Sequence, residues 1–322
     1  MAGEYKISME QVELFLHGRD DEKYIVAIEY NSKTNVIYKV IHDPVIGKGI
    51  RQDLSFEPFC WVKNLSEFKD TFYRYSTDPI NISKSVIQER VRQAKIKHGI
   101  TMTLQADNGN QRLFEGFKYV VKSSKGMDSL RDFFRSGGLN IYDKTKFIVL
   151  PAVEQYLIQK GKRMFKGMEE YQDIHRVTFD IETQGLDPKQ HKVYAIGVRD
   201  NRGFSTRLEA PTTDPTPQEE REIILDAFTI IDAIRPAVIT AYNGFDFDWW
   251  FLLSRSTSLG MDFKDVVCTL SKDHPVKTRE YGVTIGADTE DFTLYELWGY
   301  NNVDINHATK RAQAIDLSLI HI

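Results

Sequence analysis

HRVTFDIETQGLD, residues 175–187, decides how the chain is read. The segment is apolar enough for a buried strand, yet Asp180 and Glu182 stand in its middle. Strand side chains alternate faces, so the two carboxylates share one face while Phe179 and Ile181 share the other. Two residues of strand span about 6–7 Å. Like charges that close on a half-buried face repel each other and lose hydration, unless a cation or hydrogen-bond donors lie between them. A positive species is therefore expected beside Asp180 and Glu182.

Beyond this strand the pattern stays α/β. VYAIGVRD and GFSTRLEA give a second and third strand joined by the turn DNRG. Thr216, Pro217 and Glu219 then open a helix: Thr216 is the N-cap, Pro217 suits the first helical position and Glu219 completes a capping box. Ile223, Ile224, Ala227, Phe228, Ile231 and Ile234 fall on one side of that helix, as packing against a sheet demands. PAVITAY is a fourth strand, and DWWFLLSRSTSLG is a helix stopped by Gly260. Three strands, a helix, a strand and a helix resemble the opening order of a ribonuclease-H-like domain.

The fourth strand runs into YNGFDFDWWF, residues 242–251. The chain leaves the strand through the turn-prone pair Asn243-Gly244 and enters a helix near Asp248. That places Asp248 at a helix N-terminus beside the carboxyl end of a strand, where ligand sites of α/β sheets gather. Asp248 could equally be the helix N-cap, with Asp246 a rival for that position. Taken alone, the DxE pair could also flank a surface turn.

Residues 1–145 read as short alternating strands. KYIVAIEYNSKTNVIYKVIHD is hairpin-like, with NSKTN as its turn. LSFEPFCWVKNLSEFKDTFYRY places an aromatic strand before a helix opened by Ser66 or Asn64, and KSVIQERVRQAKIKHG is a basic helix stopped by Gly99. In PAVEQYLIQKGKRMFKGMEEYQD, Lys160, Lys162, Arg163 and Lys166 interleave with Tyr156, Met164 and Phe165. That composition suits a DNA-facing rim or an ordinary surface helix.

The 322 residues are 41% hydrophobic and 27% charged, which suits a soluble chain of two domains. There is no signal-peptide pattern and no apolar run of membrane-spanning length, so no membrane role and a cytoplasmic location are expected. Cys60 and Cys268 lie far apart without metal-ligand spacing, so neither a disulfide framework nor a zinc site is indicated. A net charge of −4 means that nucleic acid would be attracted by local basic surface or bound metal rather than by the global field.

DIET on the first strand and YNGxxFD after the fourth, in this order of elements, resemble the first two exonuclease motifs of family B DNA polymerases. The lead-in FKGMEEYQDIHRVTFDIET looks like the phage members, and FEPFCWVK, residues 56–63, resembles the aromatic strand of the family's N-terminal domain. The resemblance implies a strand-rich N-terminal domain over 1–150, a connecting segment over 151–174 and a 3′→5′ proofreading exonuclease domain over 175–316. It implies that Asp180, Glu182 and Asp248 are catalytic and hold two Mg²⁺ or Mn²⁺ ions. Asn243 and Phe247 would then bind the terminal nucleotide. The implied partner is DNA, as a primer-template with a single-stranded 3′ end, with a sliding clamp or other replisome proteins for a full-length parent.

The third motif of the family is YxxxD on a helix. Tyr300 to Asp304 fits those letters, but only 304 − 248 = 56 residues separate Asp304 from Asp248, and WGYNNVDI alternates like a strand. The expectation is that Asp304 ends a strand, with the metal-ligand alternative open, and that the third carboxylate lies past residue 322. The exonuclease domain is then incomplete, no polymerase palm is present, and LSLIHI (317–322) is an adapter-derived tail. The rival expectations are a free-standing DnaQ-like exonuclease, disfavoured by the long N-terminal region, and a nuclease-dead DNA-binding module, disfavoured by the intact acidic residues.

Overall fold

The computed structural model describes residues 19–64, 84–104, 116–263, 266, 276–285 and 288–310. Two units emerge: Met1–Glu22, Ile28–Tyr38 and Asp53–Arg163 in the first, and Lys23–Ala27, Lys39–Gln52 and Met164–Ile322 in the second.

Strands β1 (Ile25–Asn31), β2 (Val36–Asp43) and β3 (Lys48–Ser55) form one sheet in that order. The expected NSKTN turn closes with the Asn35 N–H donating to the Asn31 carbonyl at 2.9 Å. Asn35 takes a left-handed φ of 56°, which asparagine tolerates better than most residues.

The first unit also carries β4 (Phe59–Val62), α1 (Lys84–His98), β5 (Ile100–Leu104), β6 (Tyr119–Ser123), α2 (Met127–Ser136), β7 (Phe147–Ile148) and α3 (Ala152–Lys160). Its four-stranded sheet has the order β5-β6-β4-β7. All four residues of the aromatic strand β4 are buried, which is why FCWV lacks polar alternation. The buried Gln155 on α3 accepts the Phe59 N–H at 2.7 Å and donates to the Leu150 carbonyl at 2.6 Å, so its amide is satisfied. Gly99 ends α1 at a φ of 62°, as expected. The helix expected to open at Ser66 or Asn64 lies outside the described residues, as does Cys268. Cys60 is buried with a free thiol whose pKa burial raises.

The second unit holds β8 (Arg176–Thr183), β9 (Val193–Asp200), β10 (Ser205–Glu209), α4 (Pro217–Ile234), β11 (Val238–Ala241), α5 (Asp248–Ser258), β12 (Lys277–Ile285), β13 (Asp288–Glu296) and β14 (Asn301–Asp304). The sheet order is β10-β9-β8-β11-β14. Strands β10, β9 and β8 are antiparallel, while β11 runs parallel to both β8 and β14. Strands β12 and β13 pair separately as a two-stranded ribbon.

The opening order of three strands, helix, strand and helix is therefore present. Helix α4 begins as its capping box requires, the Glu219 N–H donating to Thr216 Oγ1 at 3.3 Å and the Thr216 N–H to the Glu219 carboxylate at 2.7 Å. Val177, Phe179 and Ile181 pack with Phe228 of α4 and Trp249 and Leu252 of α5 in one apolar core. The Phe179 ring meets Trp249 edge-on at 4.9 Å.

Candidate active site

Strand β8 delivers the opening carboxylates as its alternation demands. Phe179 and Ile181 are buried, and Asp180 and Glu182 are exposed. In the register with β9, Asp180 faces Gly197, whose missing side chain leaves the ground beside the carboxylate open. On the same face the Thr178 and Thr240 hydroxyls bond at 2.7 Å, tying β8 to β11. A cavity of about 550 Å³ lies beside Asp180, lined by Arg176, Thr178, Arg199, Asn201 and Ser205; ligand sites span about 300–1,000 Å³.

Asp248 opens α5 and is 2% exposed. Its Oδ1 accepts the Ile181 N–H at 3.2 Å, so the carboxyl sits against the strand that carries Asp180 and Glu182. Burial pushes its pKa up to about 7, and the Asp180 charge adds to the rise, with Asp304 a smaller contributor. Neither Asp248 nor Asp246 is the helix N-cap: Phe247 occupies that position and makes no side-chain cap bond. The capping alternative for both aspartates is thereby corrected: Asp248 is already the first residue of the helix, and its Oδ1 bonds to β8.

Between β11 and α5 the chain turns tightly. Asn243 has a left-handed φ of 61°. A Cβ on Gly244 would lie 2.5 Å from the Cβ of Ala241, so only glycine fits without displacing the strand end. The Phe247 N–H donates to the Asn243 carbonyl at 3.0 Å and the Trp249 N–H to the Gly244 carbonyl at 2.9 Å. Phe247 is half-buried, its ring 5.5 Å from that of Phe251. Phe245 is buried and stacks on Phe292 at 5.7 Å.

Tyr300 to Asp304 does not form a helical motif. Asn301–Asp304 is β14, and Asp304 pairs in register with Ala241 at the end of β11. Its carboxylate, 3% exposed, accepts backbone N–H groups from Asn243 and Phe245 at 3.1 and 2.9 Å. Nothing in the sequence marked this use of Asp304, since its partners lie about sixty residues away in the chain.

Lys162, one of the cations read as a possible DNA rim, is instead spent within its own unit. Its ammonium is paired with Asp20 at 2.9 Å and with Glu22. Burial disfavours the charge, but the two carboxylates outweigh it and the Lys162 pKa is raised.

Asp180, Glu182 and Asp248 offer only carboxylate oxygen, the donor type that suits hard divalent cations. Among the described residues, no three or more histidine, cysteine or acidic side chains are grouped so that they could hold a metal ion.

The second unit is thus an α/β domain in which Asp248, at the start of α5, bonds to the strand that carries Asp180 and Glu182. Residues 155–318 match the family model described as DNA polymerase family B, exonuclease domain, and the chain belongs to that family. Among its relatives, the DNA polymerase of Thermococcus kodakarensis is 26% identical over 228 residues, which are 66% of this chain and 12% of that protein. The DNA polymerase of Thermococcus sp. strain 9oN-7 is 24% identical over 281 residues, 83% of this chain and 32% of that one. The chain thus spans between about an eighth and a third of these relatives. The solved family B DNA polymerase of Pyrobaculum calidifontis aligns with a TM-score of 0.49 at 16% identity, covering 88% of this chain and 36% of that chain. These relatives are archaeal, and the narrower likeness to phage members stays an expectation.

Proposed function

We propose that this chain is the N-terminal part of a family B DNA polymerase and carries a 3′→5′ exonuclease that removes the terminal nucleotide of a DNA strand. The observation that supports this most directly is the convergence of two distant motifs. Asp248, after β11, accepts a hydrogen bond from Ile181, the residue between Asp180 and Glu182 on β8. Residues 1–150 are taken as the strand-rich N-terminal domain, 151–174 as the connection and 175–316 as the exonuclease domain.

In this proposal Asp180, Glu182 and Asp248 hold Mg²⁺ or Mn²⁺, which when bound supplies an activated water and stabilises the leaving oxyanion. The protein's own task is positioning. The exposed carboxylates of β8 face the open sheet surface where a phosphodiester can approach. Asn243 and Phe247, at the edge of that ground, contact the last nucleotide, and the aromatic ring offers a sequence-tolerant stacking surface for an unpaired 3′ end. Single-stranded 3′ ends are the proposed substrate, and replisome proteins are the proposed partners of a longer parent. Among the described residues no helix is long and apolar enough to cross a membrane.

The test is digestion of a 3′-labelled single-stranded oligonucleotide with Mg²⁺ by the wild type and by the Asp180→Ala/Glu182→Ala double variant. The variant should lose activity by about a thousand-fold or more, as expected when charge stabilisation of several kcal/mol is removed. Equal digestion by both proteins would refute the assignment.

A further inference from the structure

We propose that Asp304 and Asn306 are positioning residues of the exonuclease: together they form a clamp that fixes the turn carrying Asn243, Phe247 and Asp248. This inference rests on the proposed exonuclease function.

The clamp is built at the end of the sheet. Because Asp304 pairs in register with Ala241, its side chain emerges where the neighbouring chain leaves β11. Asp304 Oδ1 accepts the N–H of Asn243 at 3.1 Å and that of Asn306 at 2.8 Å, and Oδ2 accepts the N–H of Phe245 at 2.9 Å. Both oxygens are thus engaged by backbone donors, which leaves the carboxylate poorly disposed to serve as a metal ligand. The Asn306 side-chain amide donates to Asn243 Oδ1 at 2.9 Å. Asn243 is therefore gripped by its main chain and by its side chain, at the residue whose left-handed φ of 61° reverses the chain. Left-handed backbone at a non-glycine residue costs free energy and persists where the surroundings hold it.

A carboxylate suits this place for a simple reason. It offers two acceptor oxygens and no donor, and hydrogen bonds from N–H groups to an ionised acceptor are stronger than neutral ones. An asparagine would point an NH₂ at one of the backbone N–H groups. Phe245, whose N–H would be left without an acceptor, is 6% exposed and so cannot turn to water instead. Three residues further on, with no intervening loop, Asp248 enters α5. A displaced turn therefore moves the proposed nucleotide contacts and the proposed carboxylate ligand together.

Asp304→Asn and Asn306→Ala would be compared with wild type by hydrogen exchange at the Asn243 and Phe245 amides. A second readout is binding, in EDTA, of a single-stranded oligonucleotide carrying 2-aminopurine at its 3′ terminus. The expected results are exchange about ten-fold faster at these amides in Asp304→Asn, and weaker 3′-end binding in both variants. Binding losses should also be non-additive when Asn306→Ala is combined with Asn243→Gly, because the second change removes the group that Asn306 holds. Unchanged exchange in a folded Asp304→Asn protein would overturn the clamp whatever the DNA results. Faster exchange with unchanged 3′-end binding, or additive losses, would overturn the positioning role. Failure of the exonuclease assignment itself shows separately, as digestion insensitive to loss of Asp180 and Glu182.

Discussion

His42 and His175 show what single buried residues contribute to this molecule. His42 is 1% exposed and His175 4%; their rings bond at 3.3 Å, and His175 bonds Asp200 at 2.9 Å. Burial pulls the His42 pKa down to about 4, with the charges of Arg202 and His175 adding to the fall and Asp43 opposing it. Burial lowers His175 as well, and Arg202 adds to this, although the Asp200 carboxylate resists. Both groups thus bind a proton more readily when unfolded. Their contribution is fully present above about pH 6.5 and is lost as pH falls toward 4, by on the order of 3 kcal/mol for His42. Between pH 7.5 and 4.5 the urea midpoint of wild type should lose more, or gain less, than that of His42→Gln. Equal slopes would refute the prediction. Comparing slopes removes the effect of Asp248, whose raised pKa acts in the opposite direction. At this scale the sequence exposed Asp180 and Glu182, because strand alternation is a local rule. It gave no sign of the His42, His175 and Asp200 chain, whose first two members lie 133 residues apart.

Helices α4 and α5 make the same contrast between elements. The start of α4 was legible because a capping box needs only four consecutive residues. What locks α4 to α5 was not. Glu220, fully buried, accepts Arg255 in a two-pronged pair at 2.6 and 2.8 Å and also takes the Val193 N–H at 2.9 Å. Arg255 and Val193 lie 35 and 27 residues away along the chain, so neither partner can be found by spacing. Removing one member strands the other charge out of water. Glu220→Ala should therefore cost about 3–5 kcal/mol in a denaturation experiment. Replacing both Glu220 and Arg255 by apolar residues should cost much less than Glu220→Ala alone. A loss below about 1 kcal/mol for Glu220→Ala would contradict the buried-pair account.

For the molecule as a whole, the proposed binding of metal by the carboxylates of β8 and α5 would link stability to metal. A cation that binds the folded chain alone raises its stability by about 2.7 kcal/mol at a hundred times its dissociation constant. Thermal melts of wild type should shift upward by several degrees on adding Mn²⁺, and melts of Asp180→Ala should not. No shift in wild type, or an equal shift in the variant, would exclude metal from this site.

By itself the sequence determined the order of strands and helices in the second unit, the shared face of Asp180 and Glu182, the placing of Asp248 at the start of α5 and the strand ending at Asp304. Each follows from periodicity, caps and turn residues, which act over a few neighbouring positions. Only the tertiary structure decided that Lys162 serves Asp20 and Glu22, that no aspartate side chain caps α5, and that Asp248 reaches the backbone between Asp180 and Glu182. It also decided that Asp304 holds the turn after β11. These outcomes depend on which strands become neighbours, and a parallel pair such as β11 and β14 brings together residues about sixty positions apart that no local pattern connects.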